Sequence, residues 1–201
     1  MKLYLNKPSP YARLALVVAH EKNLAGRLEL EWVDPWKSPA ELAAVNPFSR
    51  VPALVTDDGI AIVDSACICD YFDQLGGGRA LVHGGVQERS RILRRVGLAK
   101  TLTDAAFGTV VARRFGSPGT APALAERWVG AAGIALKAME GDDAFSTMRE
   151  DPDLGDLELA VALGYIDFRL EEIGWRKNGP KLRAWYEAIA TRVSMRATPH
   201  E

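Results

Sequence analysis

Val51-Pro52-Ala53-Leu54-Val55, followed by Asp57-Asp58-Gly59 and then Ala61-Ile62-Val63-Asp64-Ser65, is the stretch that decides the architecture. Two short apolar runs flank an Asp-Asp-Gly turn, the signature of a β-hairpin. Asp64-Ser65 then opens a helix that runs to Leu75. A proline at position 52 suits the start of a strand, where its missing N–H costs no ladder bond. Working outward, Lys2 to Leu5 reads as a strand closed by Asn6-Lys7-Pro8. Ser9-Pro10 begins a helix through Lys22, with Leu14, Val17, Val18 and Glu21 at helical spacing. Serine is a preferred N-cap, and proline is favoured at the first helical position because its absent N–H would be unpaired there anyway. Leu28 to Val33 is a second strand, Leu28, Leu30 and Trp32 alternating with Glu29 and Glu31. Ser38 caps a short helix through Val45 that stops before Asn46-Pro47. The order is βαβαββα.

Gly76-Gly77-Gly78 ends the last of these helices and marks an expected domain boundary. Beyond it strand signals mostly vanish. Helices are expected near 86–115, 121–140, 154–171 and 180–193, separated by Gly116-Ser117-Pro118-Gly119, by Gly141-Asp142-Asp143, and by the stretch from Gly174 to Gly179. Asp153 with Asp156 three residues later resembles a capping box in which Asp replaces the usual Glu. The expected organisation is therefore an α/β domain over 1–78 and an all-helical domain over 79–201.

Composition narrows the function classes. Of 201 residues, 48% are apolar and 25% charged, enough to build a core rather than a disordered chain. The net charge is −1, with 7 basic and 10 acidic side chains in residues 1–78 and 18 against 16 in the remainder, so nothing marks a nucleic-acid partner. There is no signal-like start and no run of about 18 apolar residues, so the expectation is a soluble cytoplasmic protein with no membrane association. Cys67 and Cys69, two apart on one helix, are expected to be packing residues rather than a redox pair. His20, His83 and His200 are scattered, so no metal site is expected, and the triple glycine lacks the Lys-Ser/Thr of a phosphate loop.

Several of these motifs occur together in one family. Ser9-Pro10-Tyr11-Ala12-Arg13, Asn46-Pro47-Phe48-Ser49-Arg50-Val51-Pro52-Ala53-Leu54, Asp64-Ser65, Asp153-Leu154-Gly155-Asp156 and Gly164-Tyr165-Ile166-Asp167-Phe168-Arg169 appear in the order and spacing of the cytosolic glutathione S-transferase superfamily. The chain resembles its short bacterial members with a Ser-Pro-aromatic start to the first helix. The resemblance spans nearly the whole chain and implies a thioredoxin-like βαβαββα domain followed by a helical bundle.

It also implies roles. The Val51-Pro52 bond would be cis, presenting the Val51 backbone to the cysteinyl unit of glutathione much as an added strand edge does. Asp64 and Ser65 would take the ammonium and carboxylate of the γ-glutamyl end, aided by free N–H groups of the helix start. The same two residues can equally serve as a plain helix cap. Ser9 is the matching position for the hydroxyl that faces the glutathione sulfur, with Tyr4 and Tyr11 as rival hydroxyls and N-capping as its simpler role. Arg50, or Trp36-Lys37, could supply a cation for the glycyl carboxylate, and Asp104 could reach a partner subunit's glutathione. Pro52, Asp153 and Asp156 are structural in this reading. The implied activity is transfer of glutathione, as co-substrate, to a small electrophile or reduction of a peroxide by a homodimeric enzyme. The alternative is a non-catalytic binding or regulatory module on the same fold.

Overall fold

Strands β1 (Lys2–Leu5), β2 (Glu29–Trp32), β3 (Ala53–Val55) and β4 (Ala61–Val63) form one sheet in the order β2-β1-β3-β4. The structure is a computed structural model and describes residues 1–117 and 119–200; Pro118, in the expected Gly116–Gly119 break, lies outside the described residues. β1 pairs parallel with β2 and antiparallel with β3, and β3 pairs antiparallel with β4. Helices α1 (Pro10–Glu21) and α3 (Ser65–Leu75) pack together, and α2 (Ala40–Val45) packs on β3. Alternation along β1 sorts its side chains. Tyr4 joins Leu42 of α2 and Ala53 in one cluster, while the fully buried Leu3 and Leu5 point to the opposite face. This is the thioredoxin-like arrangement that the resemblance implies.

The rest of the chain is helical: α4 (Val86–Phe115), α5 (Ala121–Glu140), α6 (Leu154–Arg169), α7 (Trp175–Asn178), α8 (Pro180–Ile189) and α9 (Val193–Arg196). α6 is buried around its whole circumference from Gly155 to Ile166, the pattern of a helix at the centre of a bundle, and α4 packs against both it and α5. Among the described residues, no helix is long and apolar enough to cross a membrane.

The chain divides into two compact units, Met1–Ala80 together with the segment from Val193 on, and Leu81–Arg192. The expected boundary after Gly78 thus falls two residues early, and the last residues pack with the first unit, where α9 lies against α1. Ser194 Oγ donates to Glu21 at the end of α1, which helps hold the tail there.

Three local expectations need correction. Ser38 does not cap α2. It adopts a left-handed conformation (φ 45°) that ends the turn Pro35–Lys37, and Pro39 takes the N-cap position. A residue before proline is poorly suited to helix, which separates the two elements there. The helix expected through 171 ends at Arg169, and the one expected through 193 stops at Ile189 before the short α9. Leu30 and Trp32 alternate as expected but remain 40% and 47% exposed, because β2 is the edge strand with a neighbour on one side only.

Candidate functional site

Sheet register gathers three of the sequence motifs at one end. Tyr4 of β1 is opposite Ala53 of β3, and Ala53 is opposite Val63 of β4. β1 therefore ends, β3 begins and β4 ends on the same side. Ser9 follows β1 by four residues, Val51-Pro52 immediately precedes β3, and Asp64-Ser65 immediately follows β4. Strands lie about 4.8 Å apart, so positions over β1 and β4, with β3 between them, are separated by roughly 10 Å.

At the first position, Ser9 is the N-cap of α1 and is buried. Its Oγ accepts the Ala12 N–H at 3.2 Å, and its backbone is fixed by bonds to Asn6 and Arg13. A hydroxyl that accepts this bond keeps its own proton to donate, so capping leaves the chemistry open. The rival hydroxyls are placed differently: Tyr4 is a core residue, and Tyr11 lies half-buried in the first turn of α1.

At the middle position, the Val51–Pro52 peptide is cis. Val51 lies outside the β1–β3 ladder and makes no backbone bond to a turn or loop among the described residues. The loop leading to it is organised by Asn46, which is buried. Its Oδ1 accepts from Phe48 N–H (3.1 Å), its Nδ2 donates to the Arg50 carbonyl (2.9 Å), and its own carbonyl accepts from Ser49 N–H (2.8 Å). Among the sequence motifs above, Asn46 carries no role of its own. An Asn two residues before a loop amide is the signal of a side chain that imitates a backbone turn.

At the third position, Asp64 caps α3, one oxygen accepting the Ala66 N–H at 2.8 Å. Its second oxygen has no partner among the described residues, nor do the Ser65 hydroxyl and the first-turn N–H groups of Ser65 and Cys67. Asp64 also has φ 75° and ψ 135°, a backbone conformation that costs a non-glycine residue about 1–3 kcal/mol. A strained residue here thus has an unused carboxylate oxygen and idle amides beside it.

The family model Glutathione S-transferase, N-terminal domain, matches residues 8–75, and Glutathione S-transferase, C-terminal domain, matches residues 122–188. A glutathione transferase family member from Pseudomonas fluorescens Pf-5, solved with bound S-(propanoic acid)-glutathione, is 30% identical over 100% of both chains, with TM-score 0.87. The chain belongs to the glutathione S-transferase family. A glutathione S-transferase from Methylobacillus flagellatus KT with glutathione bound is 28% identical, covering 100% of this chain and 99% of its own, with TM-score 0.85. The GST-like protein YibF of Escherichia coli K12 is 28% identical over 98% of each chain.

The remaining candidate residues separate clearly. Arg50 is exposed beside Val51, and its guanidinium has no ion-pair partner among the described residues. Asp104 lies in the other unit, on α4, where its carboxylate is 3.0 Å from Lys100 one turn earlier. Cys69 is buried as expected, but Cys67 is exposed and is not a packing residue. Among the described residues no group of three or more His, Cys, Asp or Glu could hold a metal ion.

Asp153 and Asp156 form the expected capping box at the start of α6. Asp153 accepts from Gly155 and Asp156 amides (2.9 and 3.3 Å), and Asp156 accepts from the Asp153 amide (3.1 Å). Two partners went unread in the sequence. Arg95 of α4 is buried and bonds Asp153, and Arg149 bonds Asp156 at 2.7 Å. Gly155 is required by this approach, since a Cβ there would lie 2.7 Å from the Cβ of Arg95.

Burial, and next the nearby Asp153 charge, push the Asp156 carboxyl above its ordinary value of 3.8. A carboxyl raised on folding favours the folded state while protonated and loses that contribution as pH rises through its folded pKa. The stability of Asp156→Asn relative to the wild type should therefore be flat below pH 3.8, rise from there to the raised folded pKa and level off above it, measured by urea unfolding. A relative stability that falls over that range would contradict the raised carboxyl.

Proposed function

We propose that this chain is a glutathione transferase that binds glutathione along one end of its sheet and activates the sulfur for attack on a small electrophile or a peroxide. The observation that carries the reading is the register that lines up Ser9, Val51 and Asp64-Ser65. The span of roughly 10 Å between the Asp64 and Ser9 positions suits the stretch from the γ-glutamyl ammonium to the cysteinyl thiol, about two residues at 3.3–3.6 Å each plus a side chain. Glutathione is a tripeptide with its charges at the ends and its thiol in the middle unit. In this arrangement the Asp64 carboxylate takes the γ-glutamyl ammonium. The Ser65 hydroxyl and the idle amides of the α3 N-terminus take the adjacent carboxylate, an anion placed where the helix dipole favours it. Val51 pairs with the cysteinyl backbone, Arg50 offers a cation to the glycyl carboxylate, and the Ser9 hydroxyl donates to the thiolate. The glutathione-bound relatives support this assignment at the level of the ligand.

The test is calorimetric titration with reduced glutathione. Asp64→Ala should weaken binding by at least about tenfold, the loss of one charged anchor of roughly 1.5–3 kcal/mol. Asp64→Gly should weaken it as much while raising unfolding stability, because glycine adopts positive φ without strain and costs little as a cap. Wild-type affinity in both variants would remove Asp64 from the site. Absence of glutathione binding by the unsubstituted protein would defeat the whole reading.

A further inference from the structure

Asn46 ends α2 with its own N–H bonded to the Leu42 carbonyl at 2.7 Å, and it is only 4% exposed. From that fixed point its carboxamide bonds in two directions. Oδ1 accepts from the Phe48 amide, which makes the turn, and Nδ2 donates to the Arg50 carbonyl four residues on. The turn needs only the first of these bonds. The second acts on the peptide unit that joins Arg50 to Val51. That unit is trans, so its C=O and N–H point in opposite directions. A carbonyl held on the buried Asn46 therefore turns the Val51 N–H away from it. The Val51 side chain is held too, packed against the cluster of Tyr4, Leu42 and Ala53. With the side chain and the preceding carbonyl both fixed, the Val51 N–H is left facing outward from these anchors, with no partner among the described residues.

We infer that Asn46 is a positioning residue for glutathione, its Nδ2 aiming the Val51 N–H at the cysteinyl carbonyl of the ligand. This rests on the proposed pairing of Val51 with the cysteinyl unit, and names the group that sets its direction. A ligand added along a strand edge is held by main-chain hydrogen bonds. Such bonds favour binding most when their donors are ordered beforehand, because a peptide unit left to rotate must be ordered by the ligand. Asn46 supplies that order from α2 through a single side chain. The residue type fits the task. Among the short turn-forming side chains, asparagine carries an acceptor and a donor on separate atoms, so one amide serves Phe48 and Arg50 together. Aspartate has acceptors only, and the hydroxyl of serine is one bond shorter and cannot serve both partners.

The test titrates reduced glutathione into the full chain, read by calorimetry and by amide hydrogen exchange. Asn46→Asp and Asn46→Ser both keep an oxygen for the Phe48 amide and both lack the Nδ2 donor. Affinity should fall about 3- to 10-fold in each, the loss of one aimed hydrogen bond. In turnover with an aryl halide, KM for glutathione should rise by that factor while kcat stays within about twofold, because the bond is made equally before and during the reaction. In the unsubstituted protein, glutathione should slow exchange of the Val51, Ser65 and Cys67 amides. In the variants at saturating glutathione, Ser65 and Cys67 should stay protected and Val51 should lose its protection. Retained protection of Val51, whatever the affinity, would leave Asn46 only the turn and overturn the inference. Loss of protection at all three amides, or failure of both variants to fold, would assign Asn46 to the fold alone and overturn it as well. The underlying reading fails by a different sign: if glutathione leaves Val51 unprotected in the unsubstituted protein, there is no pairing for Asn46 to aim.

Discussion

Asp153→Ala is expected to cost about 3–5 kcal/mol of unfolding free energy, the usual consequence of removing one partner from a buried ion pair. Asp153 does two jobs at once. It accepts two amides at the start of α6, and it is the charge against which the buried Arg95 rests. The cap alone is worth about 0.5–2 kcal/mol. The larger part comes from Arg95, which is held in the interior by Asp153 and whose charge is not easily given up. Asp153→Ser separates the two jobs because it restores a capping oxygen without restoring the charge. If the buried guanidinium dominates, the serine variant should be nearly as unstable as the alanine one. Combining it with Arg95→Met, which keeps aliphatic bulk and removes the uncompensated charge, should then recover most of the loss. Chemical denaturation of the three variants decides the matter. A serine variant within about 1 kcal/mol of wild type would show that the cap, not the pair, is what Asp153 supplies.

The same cluster shows where sequence reading runs out. The capping box was legible because both of its residues lie within four positions of each other, and local hydrogen bonds leave a local signature. Arg95 sits 58 residues from Asp153. Nothing in its own neighbourhood distinguishes it from the other arginines of α4, and only the packing of α4 on α6 brings it there. Gly155 is similar: within its helix it looks like a plain defect, and the reason for it lies on another helix. The hairpin and the starts of α1 and α3 were readable from turn and cap chemistry. Their juxtaposition needed strand order, which the resemblance implied and the register shows. The β2 strand was assigned correctly by alternation, but alternation reports which face is apolar and not whether protein covers it. Ser38 was misplaced because a Ser-Pro pair reads as a cap and first turn in the α1 case, where Ser9 is extended. The identical pair before α2 has its serine left-handed.

Ser9→Ala is expected to lower turnover with an aryl halide electrophile at pH 7 by about 3- to 25-fold, with glutathione affinity changed only a few fold. The range follows from the thiol's acidity. A free thiol near pKa 8.5 is only about 3% ionised at pH 7, and lowering it by two units makes roughly three quarters of it thiolate. Two units correspond to about 2.7 kcal/mol, which one hydrogen bond to a charged group, at roughly 1.5–3 kcal/mol, can supply for the most part, with the α1 N-terminus adding to it. Removing the hydroxyl should return the bound thiol by about one to two units toward its free value. The deficit should therefore shrink as pH rises and largely disappear above the free thiol's pKa, where thiolate forms without help. Loss of the cap complicates the alanine variant, since it costs α1 about 0.5–2 kcal/mol. Ser9→Asp removes that ambiguity: aspartate is as good a cap as serine, so α1 should be retained, yet its charge repels a thiolate. It should raise the bound thiol's pKa further than alanine does, read from the ultraviolet absorbance of the thiolate against pH. If Ser9 merely caps the helix, the aspartate variant should ionise glutathione as the wild type does, and the alanine variant's deficit should be the same at every pH. The two substitutions rank oppositely for the two roles, because a cap needs any acceptor oxygen while a thiolate needs a proton pointed at it.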